Sequence, residues 1–381
     1  MPFRPILLTG LLVTALITPT SAQVTARAEA CMLVAEERAG GLDYPWGLAF
    51  LPNGGALITE RSGRLLLVDP QSGDRQVVDG APAVVARGQG GLLDVALHPD
   101  FATNAQVYLS FSEPRDGGTA TAVGRGSLVR DGDTVRIDGF TVITRMAKAS
   151  GGGRHFGSRL AFAPDGTLFI TMGDRADRPR AQDPFDHAGS VLRVNDDGSI
   201  PADNPFADGR KAKPEIWSIG HRNSQGAVIH PDTGLLWTVE HGARGGDEIN
   251  QPQPGRNYGW PVISYGRHYS GLPIGEGTAK PGMEQPVFYW DPSIAPSGLT
   301  FVTGPMFPAW RGDLLVGALK DRLLSRLDMR NGRVAAEERM FEGALGRIRD
   351  VRMGPKGAIW LLTDSSNGGL YRITPEGGVC G

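Results

Sequence analysis

Short apolar strands alternate with proline-containing turns along most of this chain. The unit is an alternating apolar segment, a turn that joins Pro to Asp, Asn, Lys or Gly, and a second apolar strand that often ends in Thr. Its copies are Gly47–Thr59 (GLAFLPNGGALIT), Asp94–Phe101 (DVALHPDF), Leu160–Thr171 (LAFAPDGTLFIT), Ala227–Thr238 (AVIHPDTGLLWT) and Val351–Thr363 (VRMGPKGAIWLLT). A degenerate copy, Gly298–Pro305 (GLTFVTGP), has a longer turn. Proline presets φ for a turn and Gly or Asn supplies positive φ, so each unit predicts a hairpin. Copies recur every 45 to 75 residues, roughly, a spacing found in arrays and propellers. No sustained helical periodicity separates the strands, which argues against parallel βαβ units. Six copies predict an all-β fold, a six-bladed β-propeller of four-stranded blades. Ligands then bind on loops at one end of the central channel. A pair of β-sandwiches is the alternative, and it leaves the repeat unexplained.

Composition narrows this picture. The chain has 381 residues, 40% of them hydrophobic, with 54 Gly and 28 Pro. Without a collagen period, such Gly and Pro content means many tight turns. A net charge of -2 argues against a nucleic-acid partner. The N-terminus carries Arg4, an apolar run from Ile6 to Ile17 and the small residues Thr20-Ser21-Ala22. That reads as a signal peptide over residues 1–22, cut after Ala22, followed by one propeller domain over 23–381. The expected location is the periplasm or the exterior, with no membrane span. Cys31 and Cys380 are the only cysteines. In an exported protein they are candidate disulfide partners that tie the two termini where the ring closes. Free thiols, or Cys31 as a lipid anchor, are the alternatives.

Several segments carry candidate chemistry. His155 lies in a glycine-rich loop, GGGRHFGS, just ahead of a repeat hairpin. Glycines let a backbone approach a ligand closely, and imidazole exchanges protons near neutral pH. Basic groups gather in Gly220-His221-Arg222-Asn223, in Lys320-Asp321-Arg322 and in Arg347-Ile348-Arg349. In the last two the cations are two apart, which on a strand puts both on one face. Three such segments in different blades suggest a compact, multiply anionic ligand, since Arg grips carboxylates through a planar fork. Gln89 is a polar amide in a similar glycine-rich loop. Glu240 to Asn250 is acidic and glycine-rich, and runs on to Tyr258. It offers carboxylates and exposed carbonyls to a calcium ion, without the spacing of an EF-hand. No zinc-ligand spacing, phosphate-binding loop, dinucleotide fingerprint or convincing nucleophile elbow is present.

Taken in order, these segments resemble the soluble pyrroloquinoline quinone (PQQ)-dependent sugar dehydrogenases, and most of all the periplasmic aldose sugar dehydrogenases. The matching stretches are Gly88 to Phe101, His155 to Phe162, Gly220 to Asn223, Gly245 to Asn250 with Asn257 to Pro261, Lys320, and Arg347 to Asp350. They span nearly all of the chain after the leader. The resemblance implies a six-bladed propeller and PQQ- and Ca²⁺-dependent oxidation of aldoses at C1 to lactones, by hydride transfer to PQQ. It assigns His155 as general base and Arg222 as electrophile. Gln89, Arg222, Asn223, Lys320, Arg347 and Arg349 would hold PQQ, with Arg322 and Tyr269 as further candidates. The carbonyls of Gly242 and Ala243 match a calcium site against the cofactor, and Glu248 with the Tyr258 carbonyl matches a second. Arg154 stands where glucose-oxidising members carry an acidic residue, and Ala243 stands where they carry Pro. Dimer-forming insertions are missing, which implies a monomer. A calcium-dependent propeller lactonase or esterase, and a non-catalytic binding propeller, are the competing functions. The sugar and the electron acceptor are not specified by the sequence.

Overall fold

The computed structural model describes residues 23–381, so the proposed leader lies outside the described residues. Six antiparallel sheets follow one another around a central axis. Their innermost strands are Pro45–Phe50, Leu92–Leu97, Gly157–Phe162, Ser224–Ile229, Pro296–Phe301 and Ile348–Met353. Each inner strand packs on the next in chain order, and Ile348–Met353 closes onto Pro45–Phe50. The fold is the six-bladed propeller that the repeat predicts. We number the blades 1 to 6 by these strands.

The repeat units form the first two strands of the blades. In blade 3, Gly157–Phe162 turns at Pro164-Asp165-Gly166 and returns as Leu168–Met172. The alternating apolar residues fill the space between neighbouring sheets. Leu57 and Leu65 of blade 1, for example, meet Val95 and Leu109 of blade 2. Such burial stabilises by about 25 cal/mol per Å² of apolar surface removed from water. The degenerate copy is blade 5, whose longer turn holds the 3-10 segment Pro308–Trp310.

Ring closure adds one feature that the hairpin repeat does not contain. The strand Met32–Leu42 pairs with Gly368–Pro375 and completes blade 6, with Gln23–Arg27 outside it as a fifth strand. Chain from both ends therefore shares one sheet. The Cys31–Cys380 disulfide ties the same blade, as expected.

One feature at the axis is invisible in the repeat. The pairing of every inner strand slips near its start, between Pro45 and Leu48, Leu92 and Val95, Gly157 and Leu160, Ser224 and Gly226, Pro296 and Leu299, and Ile348 and Asp350. Bulges re-aim side chains at the rims of closed sheets. The skipped residues include Trp46, Asp94, Arg159, Gln225 and Arg349, and these are the side chains that meet at the axis.

Candidate active site

Two loops build the His155 side. Gly88 and Gly153 touch: a Cβ on Gly88 would lie 2.4 Å from the Gly153 carbonyl oxygen. That approach lets the Gln89 N–H donate to the Gly153 carbonyl (2.8 Å) and the Gln89 Oε1 accept from the His155 N–H (2.6 Å). His155 itself has φ 52°, a left-handed conformation that costs a non-glycine residue about 1 kcal/mol or more. Gly173 makes room for it, since a Cβ there would sit 2.1 Å from the His155 carbonyl oxygen. The ring is nearly enclosed, and its Nδ1 lies 2.6 Å from Oδ1 of the fully buried Asp174. The other Asp174 oxygen accepts the Trp260 indole N–H at 2.8 Å. Burial pushes the imidazole below its ordinary value; the Asp174 hydrogen bond opposes this, and the Arg222 charge adds to it. Burial alone would raise the Asp174 carboxyl, but its hydrogen bond to His155 and the His155 and Arg222 charges outweigh that and hold it low. The His155 ring thus faces a carboxylate through Nδ1, and its Nε2 is free of protein partners among the described residues.

A basic cleft lies beside it. It encloses about 150 Å³ between Trp46, Arg61, Gln89, Gln225, His241, Arg347, Arg349 and Asp364, among others. Arg347 donates to Asp364 (2.9 Å) and to the Leu319 carbonyl, and Arg349 donates to Gln225 Oε1 (2.9 Å) and approaches Asp364 (3.5 Å). Arg222 is buried, donates through Nη1 to the His241 carbonyl (3.0 Å) and lies 5.2 Å from the Trp260 ring. Burial and the Arg222 charge press the His241 imidazole down to about 3, so it stays neutral. Several buried donors here have no partner: Nε of Arg61, Arg222 and Arg349, and Nδ2 of Asn223. Unsatisfied buried donors are costly, which makes these groups candidates for bonding a ligand.

The acidic segment folds into a separate, smaller cavity lined by Arg222, Glu240, His241, Gly242, Gly246, Glu248, Tyr258 and Trp260. Its volume of about 10 Å³ suits a single ion or water. Burial and the nearby Glu240 carboxylate push Glu248 up to about 8. No group of three His, Cys, Asp or Glu side chains converges among the described residues. Any cation held here would therefore need backbone carbonyls, the donor type expected of Gly242, Ala243 and Tyr258, beside the Glu248 carboxylate.

Most sequence candidates do converge. Gln89, Arg347 and Arg349 line the cleft, His155 adjoins it through its bond to Gln89, and Arg222 and Asn223 adjoin it through their bonds to His241; Arg222, Gly242, Glu248 and Tyr258 line the small cavity, with Ala243 buried in the chain between. Three further candidates lie outside both linings. Lys320 and Arg322 were placed on one strand face, but they occupy the turn between Leu314–Ala318 and Leu324–Arg330. Lys320 bends back to the Ser293 carbonyl (2.5 Å), at the cleft rim. Arg322, at φ 54°, is exposed and contributes only its carbonyl to local bonding. Tyr269 is 72% exposed, on the loop whose His268 accepts from Arg178. Asp174, Trp260, Trp46, Arg61 and Asp364 escaped the sequence reading. A signal for two of them was present: the repeat Thr is followed by an acid within three residues, as Thr171–Asp174 and Thr363-Asp364.

Comparison with known proteins bears on these groups together. The sequence profile of the glucose/sorbosone dehydrogenase family matches residues 42–372. A relative from Escherichia coli, aldose sugar dehydrogenase YliI, is 47% identical over 339 residues, covering 88% of this chain and 91% of the relative. The apo crystal structure of the soluble E. coli aldose sugar dehydrogenase superposes with a TM-score of 0.86 at 44% identity, over 90% of this chain and all (100%) of that one. The PQQ-bound aldose sugar dehydrogenase of Streptomyces coelicolor superposes with a TM-score of 0.76 at 27% identity, over 94% and 100% of the two chains. The chain belongs to the glucose/sorbosone dehydrogenase family of oxidoreductases.

Proposed function

We propose that this protein is a PQQ- and calcium-dependent aldose dehydrogenase that oxidises the C1 hydroxyl of a sugar to a lactone. The carrying observation is the pairing of a half-buried, Asp174-held His155 with a cleft lined by Arg61, Arg347 and Arg349. The cationic lining of that cleft supports PQQ as its occupant. Its carboxylates match Arg347, Arg349 and Lys320, and the orphaned Nε groups of Arg222 and Arg349 and Nδ2 of Asn223 would gain acceptors. Bound there, PQQ would supply the two-electron acceptor of the reaction.

The chain's own residues do the rest. His155 Nε2 takes the proton from the sugar C1 hydroxyl, and Asp174 steadies the imidazolium so formed. Arg222 brings fixed positive charge to the point where negative charge develops. Gly242 and Ala243 would lend carbonyls to one calcium ion, Glu248 and the Tyr258 carbonyl to another. The raised Glu248 supports the second: a half-buried carboxylate beside Glu240 is relieved by a proton or a cation. We read residues 1–22 as a signal peptide and residues 23–381 as one exported, monomeric propeller domain that passes electrons to an acceptor yet to be identified.

The test is reconstitution. Purified apoprotein supplied with PQQ and Ca²⁺ should reduce a dye with several aldoses. Absence of turnover with every sugar would discard the proposal, and ester or lactone hydrolysis without PQQ would favour a hydrolase. His155→Ala should keep the bound cofactor's absorbance and lose about 10²–10⁴-fold in kcat.

A further inference from the structure

We propose that Trp260 is a positioning residue that couples the two halves of this site. Its indole N–H orients the Asp174 carboxylate, which keeps the His155 proton on Nδ1 and leaves Nε2 bare. Its ring face seats the Arg222 guanidinium. The catalytic consequence rests on the reading of His155 as base; the structural one does not.

Trp260 is held at every edge. Its N–H donates to the Gly220 carbonyl (2.9 Å), its carbonyl accepts from Gln182 Nε2 (2.7 Å), and its side chain packs among Ala181, Ala243 and Ile274. So clamped, the indole fixes the direction of its Nε1–H, which meets Asp174 Oδ2 at 2.8 Å. The opposite oxygen, Oδ1, takes His155 Nδ1 (2.6 Å) and the Ala176 N–H (2.7 Å). Asp174 is fully buried, so Oδ2 has no water to fall back on. Without the indole donor, that oxygen is left desolvated and bare, and the carboxylate gains freedom to turn. The tautomer of a neutral imidazole follows the hydrogen bond made by its other nitrogen, so a loosened carboxylate loosens the tautomer. The charged and titratable groups facing His155 are Asp174, Arg222 and Arg175, with His241 beyond. Of these, Asp174 alone accepts from the ring.

The other half depends on the same side chain. Arg222 has one hydrogen bond from its side chain, to the His241 carbonyl, and an unpartnered Nε. The Trp260 ring lies 5.2 Å from the guanidinium carbon, with the Arg178 guanidinium 5.5 Å from the same ring. One rigid indole thereby sets the base and the cation relative to each other. Small misplacements of such groups have large effects on rate.

The substitution that separates these roles is Trp260→Phe, which keeps a ring and deletes the N–H. The first readout needs neither cofactor nor sugar: imidazole ¹⁵N spectra of the apoprotein. Wild type should show His155 with Nδ1 protonated and Nε2 bare, and Trp260→Phe should show a measurable share of the opposite tautomer. In the reconstituted enzyme, kcat should fall about 10- to 100-fold, as for other residues that orient a functional His, with KM for sugar changed by less than about twofold. In an Asp174→Ala background the same substitution should cost less than about twofold, because the shared hydrogen bond is already gone. An unchanged His155 spectrum, or costs that simply multiply, would overturn the proposal. If the wild-type enzyme oxidises no sugar, the functional reading fails while the tautomer result stands. Should Trp260→Phe not fold, the indole ¹H–¹⁵N signal of Trp260 decides: it should move in Asp174→Ala, and an unmoved signal would overturn the coupling.

Discussion

Arg159 and Arg222 are both buried arginines at the starts of inner strands, in neighbouring blades, yet their surroundings differ. Arg159 is saturated. Its Nε donates to the Gln225 carbonyl (2.6 Å), its terminal nitrogens meet Asp94 (2.9 Å) and Asp350 (3.0 Å), and the Trp46 ring lies 4.2 Å from its guanidinium carbon. Blades 1, 2, 3, 4 and 6 converge on it. Arg222 instead has a single side-chain hydrogen bond, to a carbonyl, and a bare buried Nε. Burial pulls its pKa below the ordinary value. The difference separates framework from function. A buried charge whose valences are all spent holds the fold, and one with valences left over is held by the fold for something else.

The largest effect should follow from emptying the saturated site. Arg159→Met leaves Asp94 and Asp350 facing each other across the axis with Arg352 as their remaining cation. Breaking a buried network from one side typically costs about 3–5 kcal/mol. Denaturant titration should show an unfolding free energy lowered by that amount, and a change below about 1 kcal/mol would break the comparison. Arg222→Met should behave in the opposite way. Stability of the apoprotein should stay within about 1 kcal/mol of wild type, since the lost hydrogen bond is offset by removal of an unsatisfied donor. Turnover of the reconstituted enzyme should fall about 10²–10³-fold, the usual cost of a lost charge-stabilising donor. An apoprotein as unstable as Arg159→Met would make Arg222 framework after all.

The mouth also predicts a pH dependence. Burial and the Arg222 charge lower the His155 pKa from 6.5, and the Asp174 hydrogen bond raises it. A base works when unprotonated, so the acid limb of kcat/KM should fall below that ordinary imidazole value. Arg222→Met removes a lowering charge and should move the limb upward. Asp174→Asn removes the raising partner and should move it downward. A limb at or above the ordinary value in wild type would mean that another group titrates.

The strands and turns of this fold were readable because a hairpin announces itself locally, through alternation and a proline turn. Closure was not, because Met32–Leu42 pairs with Gly368–Pro375 across the whole length of the chain. His155 and Arg222 were readable because glycine-rich loops and stretches of consecutive polar residues interrupt the apolar pattern. Asp174 and Trp260 were not singled out, since the meaning of each lies in a contact 86 positions away in sequence. Arg159 sits inside an apolar repeat strand, and only the bulge that turns it inward reveals its place.

The alternation argument failed at one point, and that point gives the smallest prediction. Arg347 and Arg349 flank the buried Ile348 and both reach Asp364 from the start of the strand Ile348–Met353 and its bulge. Lys320 and Arg322 have the same spacing in a turn, where a left-handed residue redirects the chain and the period of two no longer applies. Arg322 is exposed, and the Gly343 N–H bonds only to its carbonyl, which any residue supplies. Arg322→Ala keeps the same φ and that carbonyl. It should change stability by less than about 0.5 kcal/mol, as surface substitutions generally do. PQQ affinity, measured by titrating apoprotein, should likewise stay within about twofold, whereas Arg347→Ala should weaken it about tenfold or more, the loss of one charge-assisted hydrogen bond. Equal losses from the two would mean that the Lys320–Arg322 turn closes over the bound cofactor, and that exposure in the apoprotein is no guide to which cations the ligand recruits.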